Sequence, residues 1–463
     1  MTGGRARTGA SASPRRSGPV TGERQLLLLE VTASWSWTRA RPDAQCRQHL
    51  QPHSAKGPPV DLPPVQLPVP GERSLRTVRR LRDEVGPVVP VRLPGGVPAW
   101  LVTGYDAITG VLAGDDVLYS KDARHFTALH DGRVPADWPM RHVIEGEHLL
   151  IKDGADHRRL RGLVNRAFTP ARVEAIAPRV RELTDDLLDA LAAGGDRADL
   201  VRDFTEPLPI NVICELFGVP ADERAGIRAW TRVLVSHDAT PAEAAAAGAE
   251  LLAYLAAHAG RRRREPADDL TTGLIRAQDE DGDRLTDNEL RWILWSVIVA
   301  GHETTMHLIA NAVVALGADP DQLDRVRKDD AWAAAVEEAL RSRNSVVSTV
   351  PRYPLRDVRI AGVDVRAGEA VVVGFGGGGT DPARYGADAE RFDVGRGPQR
   401  HLAFGRGVHF CLGAPLARLE ARIALSALFG RFPRLRLAVP EADLVYTASI
   451  ITEGPRALPV LLS

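Results

Sequence analysis

Phe404-Gly405-Arg406-Gly407-Val408-His409-Phe410-Cys411-Leu412-Gly413 sets a cysteine between closely spaced glycines and an apolar, Arg/Glu-laced helical pattern, Ala414 to Phe429. Pro415 suits the first turn of that helix, where a missing N–H costs little. A helix start presents unpaired N–H groups and a partial positive charge. A cysteine placed there has its thiolate favoured, and the thiolate is the form that binds metal. Gly405, Gly407 and Gly413 let the backbone pass close to a flat ligand and aim N–H groups at the sulfur. Taken alone, one cysteine ahead of a helix reads more readily as a small buried hydrophobe. The rest of the chain has to decide.

Upstream, a long apolar helix pattern from Asp287 to Ala318 is interrupted by Ala300-Gly301-His302-Glu303-Thr304-Thr305. A helix buried on all sides should not carry a glutamate beside two threonines. Gly301 weakens the helix locally. The Thr304 hydroxyl can bond the Ala300 carbonyl four residues back, which predicts a kink. Glu303 and Thr304 then form an acid–alcohol pair able to relay protons. Read alone, the same residues describe a glycine kink with a solvated glutamate.

Glu338 and Arg341 stand three apart and share a helix face. As a surface pair they would be worth about 0–1 kcal/mol. His157 and Arg161 stand four apart in a helical pattern, and Arg352 follows Pro351 in a strand-like stretch. Each basic residue alone reads as part of a solvated face, the more so because only four of the 59 basic residues are lysine.

Together these motifs, in this order and spacing, resemble the cytochrome P450 family over roughly residues 59–463. The loop resembles the family's haem-binding loop. Ala-Gly-His-Glu-Thr-Thr resembles its oxygen-activating motif, with Thr304 lying 107 residues before Cys411. The resemblance implies a mainly α fold with a small β-rich region (α+β), and a long central helix over a haem. It implies haem b with iron on the Cys411 thiolate, which favours O–O cleavage, and Glu303 and Thr304 as catalytic residues. Haem carries two propionates, so His157, Arg161, Arg352 and His409 are expected as their partners, with Ala300, Phe404, Gly405 and Gly413 lining the cofactor. Arg suits that role because its planar fork matches a carboxylate. Glu338 and Arg341 match the family's buried Glu-x-x-Arg, with Arg391 of Ala389-Glu390-Arg391-Phe392 expected as third partner. Ser296, Val299, Val347, Val350 and Ile450 are the expected substrate walls, mostly apolar, for a lipophilic molecule such as a polyketide, terpenoid or steroid. The segments 123–148 and 235–245 are candidate lids.

The implied activity is hydroxylation or epoxidation, in secondary metabolism. The chain carries no Rossmann fingerprint and no flavin or iron–sulfur cysteine set, so electrons from NAD(P)H must arrive through a ferredoxin and its reductase. Arg158, Arg159, Arg406 and Arg418 could meet that acidic partner. Oxidative coupling or peroxide-driven oxidation on the same haem is an alternative, and intact Glu303-Thr304 argues against it. A non-catalytic helper should lack the cysteine or the threonine. A haem-based gas sensor should carry an output domain, and the first 60 residues are too poor in apolar pattern to fold alone.

Composition agrees. The 463 residues are 44% hydrophobic and 26% charged, as in ordinary globular proteins. Net charge is −1, which excludes bulk attraction to nucleic acid or anionic membrane. Three cysteines, Cys46, Cys214 and Cys411, make no disulfide framework or zinc cluster. A reducing, cytoplasmic compartment, a monomer and no membrane anchor are expected, since no stretch reaches about 18–20 uninterrupted apolar residues. Residues 1–58 are rich in Gly, Ser, Pro and Arg without apolar period, which reads as a disordered extension or a mis-assigned start. Leu26 to Leu29 is too short for a signal peptide.

Two departures from the family stand out. The family's proline after the Glu-x-x-Arg helix is replaced by Ser342-Arg343-Asn344-Ser345. Its Asn-Arg-Asp string is replaced by Gly376-Gly377-Gly378-Gly379-Thr380-Asp381. Four glycines in a row carry a high ordering cost, so a loose segment is expected there.

Overall fold

The computed structural model describes residues 63–463, except 139, 236–238 and 278–281. The extension expected at 1–58 and part of the second candidate lid lie outside the described residues.

The central helix forms where expected, Asp287–Ala318. Thr286 caps it: its hydroxyl accepts from the Glu289 N–H while the Glu289 carboxylate accepts from the Thr286 N–H, a reciprocal pair satisfying two helix-start donors. From Thr305 to Leu316 every residue is buried, the pattern of a helix packed on all sides. It is long and apolar enough to cross a membrane, but two thirds of its most apolar window lies inside the protein. Against it pack Pro207–Phe217, Pro241–Arg264, Trp332–Ser342 and the helix after the cysteine, Ala414–Arg431. The helix runs without a break through Gly301. A Cβ on Gly301 would lie 3.0 Å from Ile213 Cδ1, so glycine here serves close helix packing.

The apolar pattern over residues 173–193 is carried by two helices, Pro170–Ala175 and Ala177–Ala193. Pro178 at the second helix's start supplies no N–H to continue the first.

The β-rich corner is a four-stranded sheet ordered Val65–Gln66, Val88–Leu93, Val97–Val102, Val371–Val373. The middle strands form an antiparallel hairpin from Val88↔Val102 to Leu93↔Val97. Gly95 and Gly96 turn it at φ 73° and 75°, a region disfavoured for other residues. The outer strands pair in parallel. The first candidate lid is built from short helical turns, and its Phe126, Trp138 and Ile144 are buried.

The glycine run is packed rather than loose. Phe375–Gly378 is a buried helical turn. A Cβ on Gly377 would fall 2.6 Å from the Thr103 carbonyl oxygen, and one on Gly379 2.2 Å from that of Arg341. Arg82 donates to the Gly377 carbonyl (2.6 Å) and the Thr380 hydroxyl (3.2 Å). Asp381 accepts from the Tyr105 N–H. Gly379→Ala is therefore expected to lower the urea midpoint by the equivalent of about 1–3 kcal/mol, the cost of overpacking. An unchanged midpoint would show that the turn yields.

Candidate active site

The cysteine loop is held by its own backbone. The Cys411 N–H donates to the Phe404 carbonyl (2.9 Å), and the Gly405 N–H to that of Leu402 (2.8 Å). Gly405 and Gly407 adopt φ 71° and 78°, and a Cβ on Gly407 would meet the Leu112 carbonyl oxygen at 2.8 Å. The Phe404 ring lies under the Arg418 guanidinium, 4.6 Å from its centroid. Arg418 pairs in turn with Glu337 at 2.6 and 3.0 Å, and His401 Nε2 lies 3.0 Å from the same carboxylate. Burial pushes the Glu337 carboxyl up, but His401 and Arg418 outweigh it and hold the group at about 2. Glu337 thus ties the scaffold helix to the cysteine loop.

Cys411 keeps accessible surface, yet burial among protein atoms pushes its thiol up. Both hold when a sulfur faces an interior space. The N–H groups of Gly413 and Ala414, with Arg161 and Arg418, oppose that rise. Cys214 contrasts: burial sends its thiol up to about 12 against the opposing pull of Arg224 and Arg228.

On the central helix, Ala300 is exposed while Ile298 and His302 are buried. The Thr304 hydroxyl donates to the Ala300 carbonyl at 2.7 Å. Glu303 Oε1 accepts from the Thr452 hydroxyl at 2.7 Å. His302 is turned away: its Nε2 lies 3.1 Å from the Glu206 carbonyl oxygen.

The basic residues converge. The His157 and His409 rings lie 4.2 Å apart, and Arg161 donates to the Phe410 carbonyl (2.8 Å). Lys121, unremarked in the sequence except as one of four lysines, is 3% exposed among Asp115, Asp116, Asp153 and Arg352. Burial and Arg352 pull its ammonium down to about 7. Burial lowers His157 to about 4, and His409 adds to the shift. Arg352 departs from expectation: its fork is locked on Asp115 at 2.8 and 3.2 Å, with both side chains buried. A guanidinium so enclosed needs its counter-charge beside it.

The scaffold pair forms as expected, and its third partner is corrected. Arg341 Nε and Nη2 donate to Glu338 at 2.8 and 2.6 Å. Arg391 is exposed and contributes only its backbone carbonyl, to Arg341 (3.1 Å). The second guanidinium at Glu338 is that of Arg396, 3.6 Å away. The Asp393 N–H donates to Glu338 (2.9 Å), which brings the chain around so that Arg396 turns inward.

Of the expected substrate walls, Ser296, Val299 and Ile450 are half-buried. Val347 and Val350 are packed into the core beside the sheet, at 1% and 8% exposure, so they are corrected to core residues. The Val347 N–H donates to the Ile451 carbonyl at 2.8 Å, which holds that segment against the chain's C-terminal part. Arg159 and Arg418 are engaged by Asp283 and Glu289 and by Glu337, respectively. Arg158 and Arg406 are exposed, Arg158 with Asp116 3.5 Å away.

The residues present fit a haem. Among the described residues, buried His157 Nδ1 stands without a hydrogen-bond partner at one end, and His409 Nε2 has only Asp153 Oδ1 near it, at 3.6 Å. Beside them are Lys121 and Arg161, a donor set suited to two carboxylates. A thiol flanked by amides stands on the loop, as an iron ligand requires. His157, Arg161, His409 and Lys121 would hold the propionates, and Cys411 the iron.

Comparison with known proteins agrees. Residues 332–440 match the family profile described as Cytochrome P450. The chain is 45% identical to the cytochrome P450 monooxygenase PikC of Streptomyces venezuelae, covering 83% of this chain and 90% of that one. It is 40% identical to the 6-deoxyerythronolide B hydroxylase of Saccharopolyspora erythraea, covering 84% and 95%. Among solved structures, CYP154C4 from a Streptomyces superposes with a TM-score of 0.81 at 39% identity, covering 87% of this chain and 99% of that one. A cysteine loop, an acid–alcohol helix and a buried Glu-x-x-Arg, matched to such relatives over more than four fifths of the sequence, mean that this chain belongs to the cytochrome P450 family and is a haem-thiolate monooxygenase.

Proposed function

We propose that this protein hydroxylates or epoxidises a lipophilic small molecule of the polyketide, terpenoid or steroid class, with electrons passed from NAD(P)H by a reductase and a ferredoxin. Bound haem supplies the oxygen activation, strengthened by the thiolate. The chain's own residues supply position and protons. The observation that carries the reading is the Thr304–Ala300 hydrogen bond. It spends the hydroxyl proton on a helix carbonyl, so the Thr304 oxygen faces outward as an acceptor. Glu303, one residue before, is the acid that can resupply it. Arg158 and Arg406 on the surface suit an acidic electron donor. The half-buried Ser296, Val299 and Ile450 favour an apolar substrate with few polar contacts. Relatives whose names state macrolide-type substrates, such as the 6-deoxyerythronolide B hydroxylase, support that class. A cytoplasmic location accords with this electron supply.

Thr304→Ala tests the relay. With ferredoxin, reductase and NADPH, the variant is expected to consume NADPH while product per NADPH falls roughly tenfold or more and peroxide rises, the scale of a lost acid–base step. Unchanged coupling would overturn the role of Thr304. Screening lipophilic compounds for shifts of the haem absorption band then identifies the substrate.

A further inference from the structure

Glu303 is held from two directions by residues that the functional reading does not use. On its own helix, His307 stands one turn on, with Nε2 3.4 Å from Glu303 Oε1. From the far end of the chain, the Thr452 hydroxyl donates to the same oxygen at 2.7 Å. His307 is 1% exposed and Thr452 4%.

The segment that carries Thr452 is fixed to the central helix. Asn311, one further turn on, donates from Nδ2 to the Glu453 carbonyl at 2.9 Å. The Glu453 carboxylate accepts from the Leu75 N–H (2.8 Å) and from Arg73 (3.0 Å). The Glu453 N–H donates to the Ser345 carbonyl (2.9 Å). Gly454 backs the His307 ring so closely that a Cβ there would fall 1.9 Å from Nδ1. The imidazole therefore has no room to swing toward that backbone.

Consecutive residues on a helix do not face each other. Glu303 has to be steered if its carboxyl is to serve Thr304, and a flexible side chain loses entropy when so ordered. We propose that His307 and Thr452 are positioning residues that clamp one oxygen of Glu303 and thereby present the carboxyl to Thr304 in one orientation. This rests on the monooxygenase reading above. It adds a requirement that the acid–alcohol motif does not itself contain, a hydroxyl contributed 149 residues downstream.

Thr452→Val removes the hydroxyl while keeping the branched shape, and Thr452→Ser restores it. His307→Leu removes the ring nitrogens. With the reconstituted electron chain and an accepted substrate, Thr452→Val is expected to lower product per NADPH roughly tenfold, the loss of one hydrogen bond to a charged group, and His307→Leu to lower it in the same direction through the lost approach to the carboxylate. KM should stay within about twofold, because neither residue is placed in the substrate wall. Thr452→Ser should recover coupling, which a merely structural role would not require. A second readout is independent of turnover. In the ferrous carbon monoxide form at fixed pH, the His307 Nε2 resonance should move in Glu303→Gln, because the carboxylate 3.4 Å from it is lost. Normal coupling in Thr452→Val, or a His307 resonance indifferent to Glu303→Gln, would overturn the clamp and leave the monooxygenase reading standing. Absence of a red-shifted carbon monoxide band in the unsubstituted protein would overturn that reading, and the clamp's purpose with it.

Discussion

Cys411→Ala is expected to yield a folded protein whose reduced, carbon monoxide-treated spectrum has lost the strongly red-shifted Soret band, with substrate oxidation abolished. The side chain is exposed, so truncation leaves no cavity in the packed core of the kind that costs several kcal/mol. What is lost is the thiolate. The red shift reports a thiolate opposite the gas, and oxygen activation depends on the same electron donation. Cys214→Ala is the control. Cys214 is buried with its thiol pushed up to about 12, so it stays protonated and cannot replace the ligand. Its variant should keep the band. A red-shifted band surviving in Cys411→Ala would place the ligand elsewhere and remove the basis of the site.

Glu338→Ala is expected to have the largest effect on stability, about 3–5 kcal/mol, because it strands buried positive charge. Arg341 is 3% exposed and gives two hydrogen bonds to this carboxylate. Arg396 loses one of its two counter-charges and keeps Asp388 at 3.1 Å, and the Asp393 N–H loses its acceptor. Arg341 also holds the Gly379 and Ala389 carbonyls at 2.8 and 2.6 Å. Release of the guanidinium should therefore loosen the glycine turn and the approach to the cysteine loop. The loss is a large share of a typical folding free energy of about 5–15 kcal/mol. Urea unfolding with haem retention measured alongside checks it. A cost below about 1 kcal/mol would show the pair to behave as a surface one. Arg391→Ala should be nearly silent, since that side chain is exposed. Arg396→Ala should cost more, which separates the two arginines directly.

Where chemistry depends on neighbours along the chain, it was legible. The cysteine loop, the Thr304–Ala300 bond and the Glu338–Arg341 pair all join residues within about one or two turns, so spacing alone brings them together. The central helix was legible for the same reason: its period and its Thr286–Glu289 cap are local. The Gly376–Gly379 run was misleading. Glycine lowers local order by itself, yet here backbone from Thr103 and Arg341 fills the space a side chain would need.

Spacing could not choose between arginines five residues apart. Arg396 replaces Arg391 at Glu338 because the bond from Asp393 redirects the chain between them. Nor could it pair Arg352 with Asp115 across 237 residues, or bring Lys121 to the two histidines. Neither Val347 nor Val350 could be recognised as core before the fold brought Ile451 to pair with that segment. Sequence by itself determined the reactive groups and the helices that carry them, because local hydrogen bonding and apolar period act over a few residues. Tertiary structure alone decided which charges neutralise one another and what holds Glu303, because a buried charge takes the counter-charge or donor that the fold brings within reach, however distant in the chain.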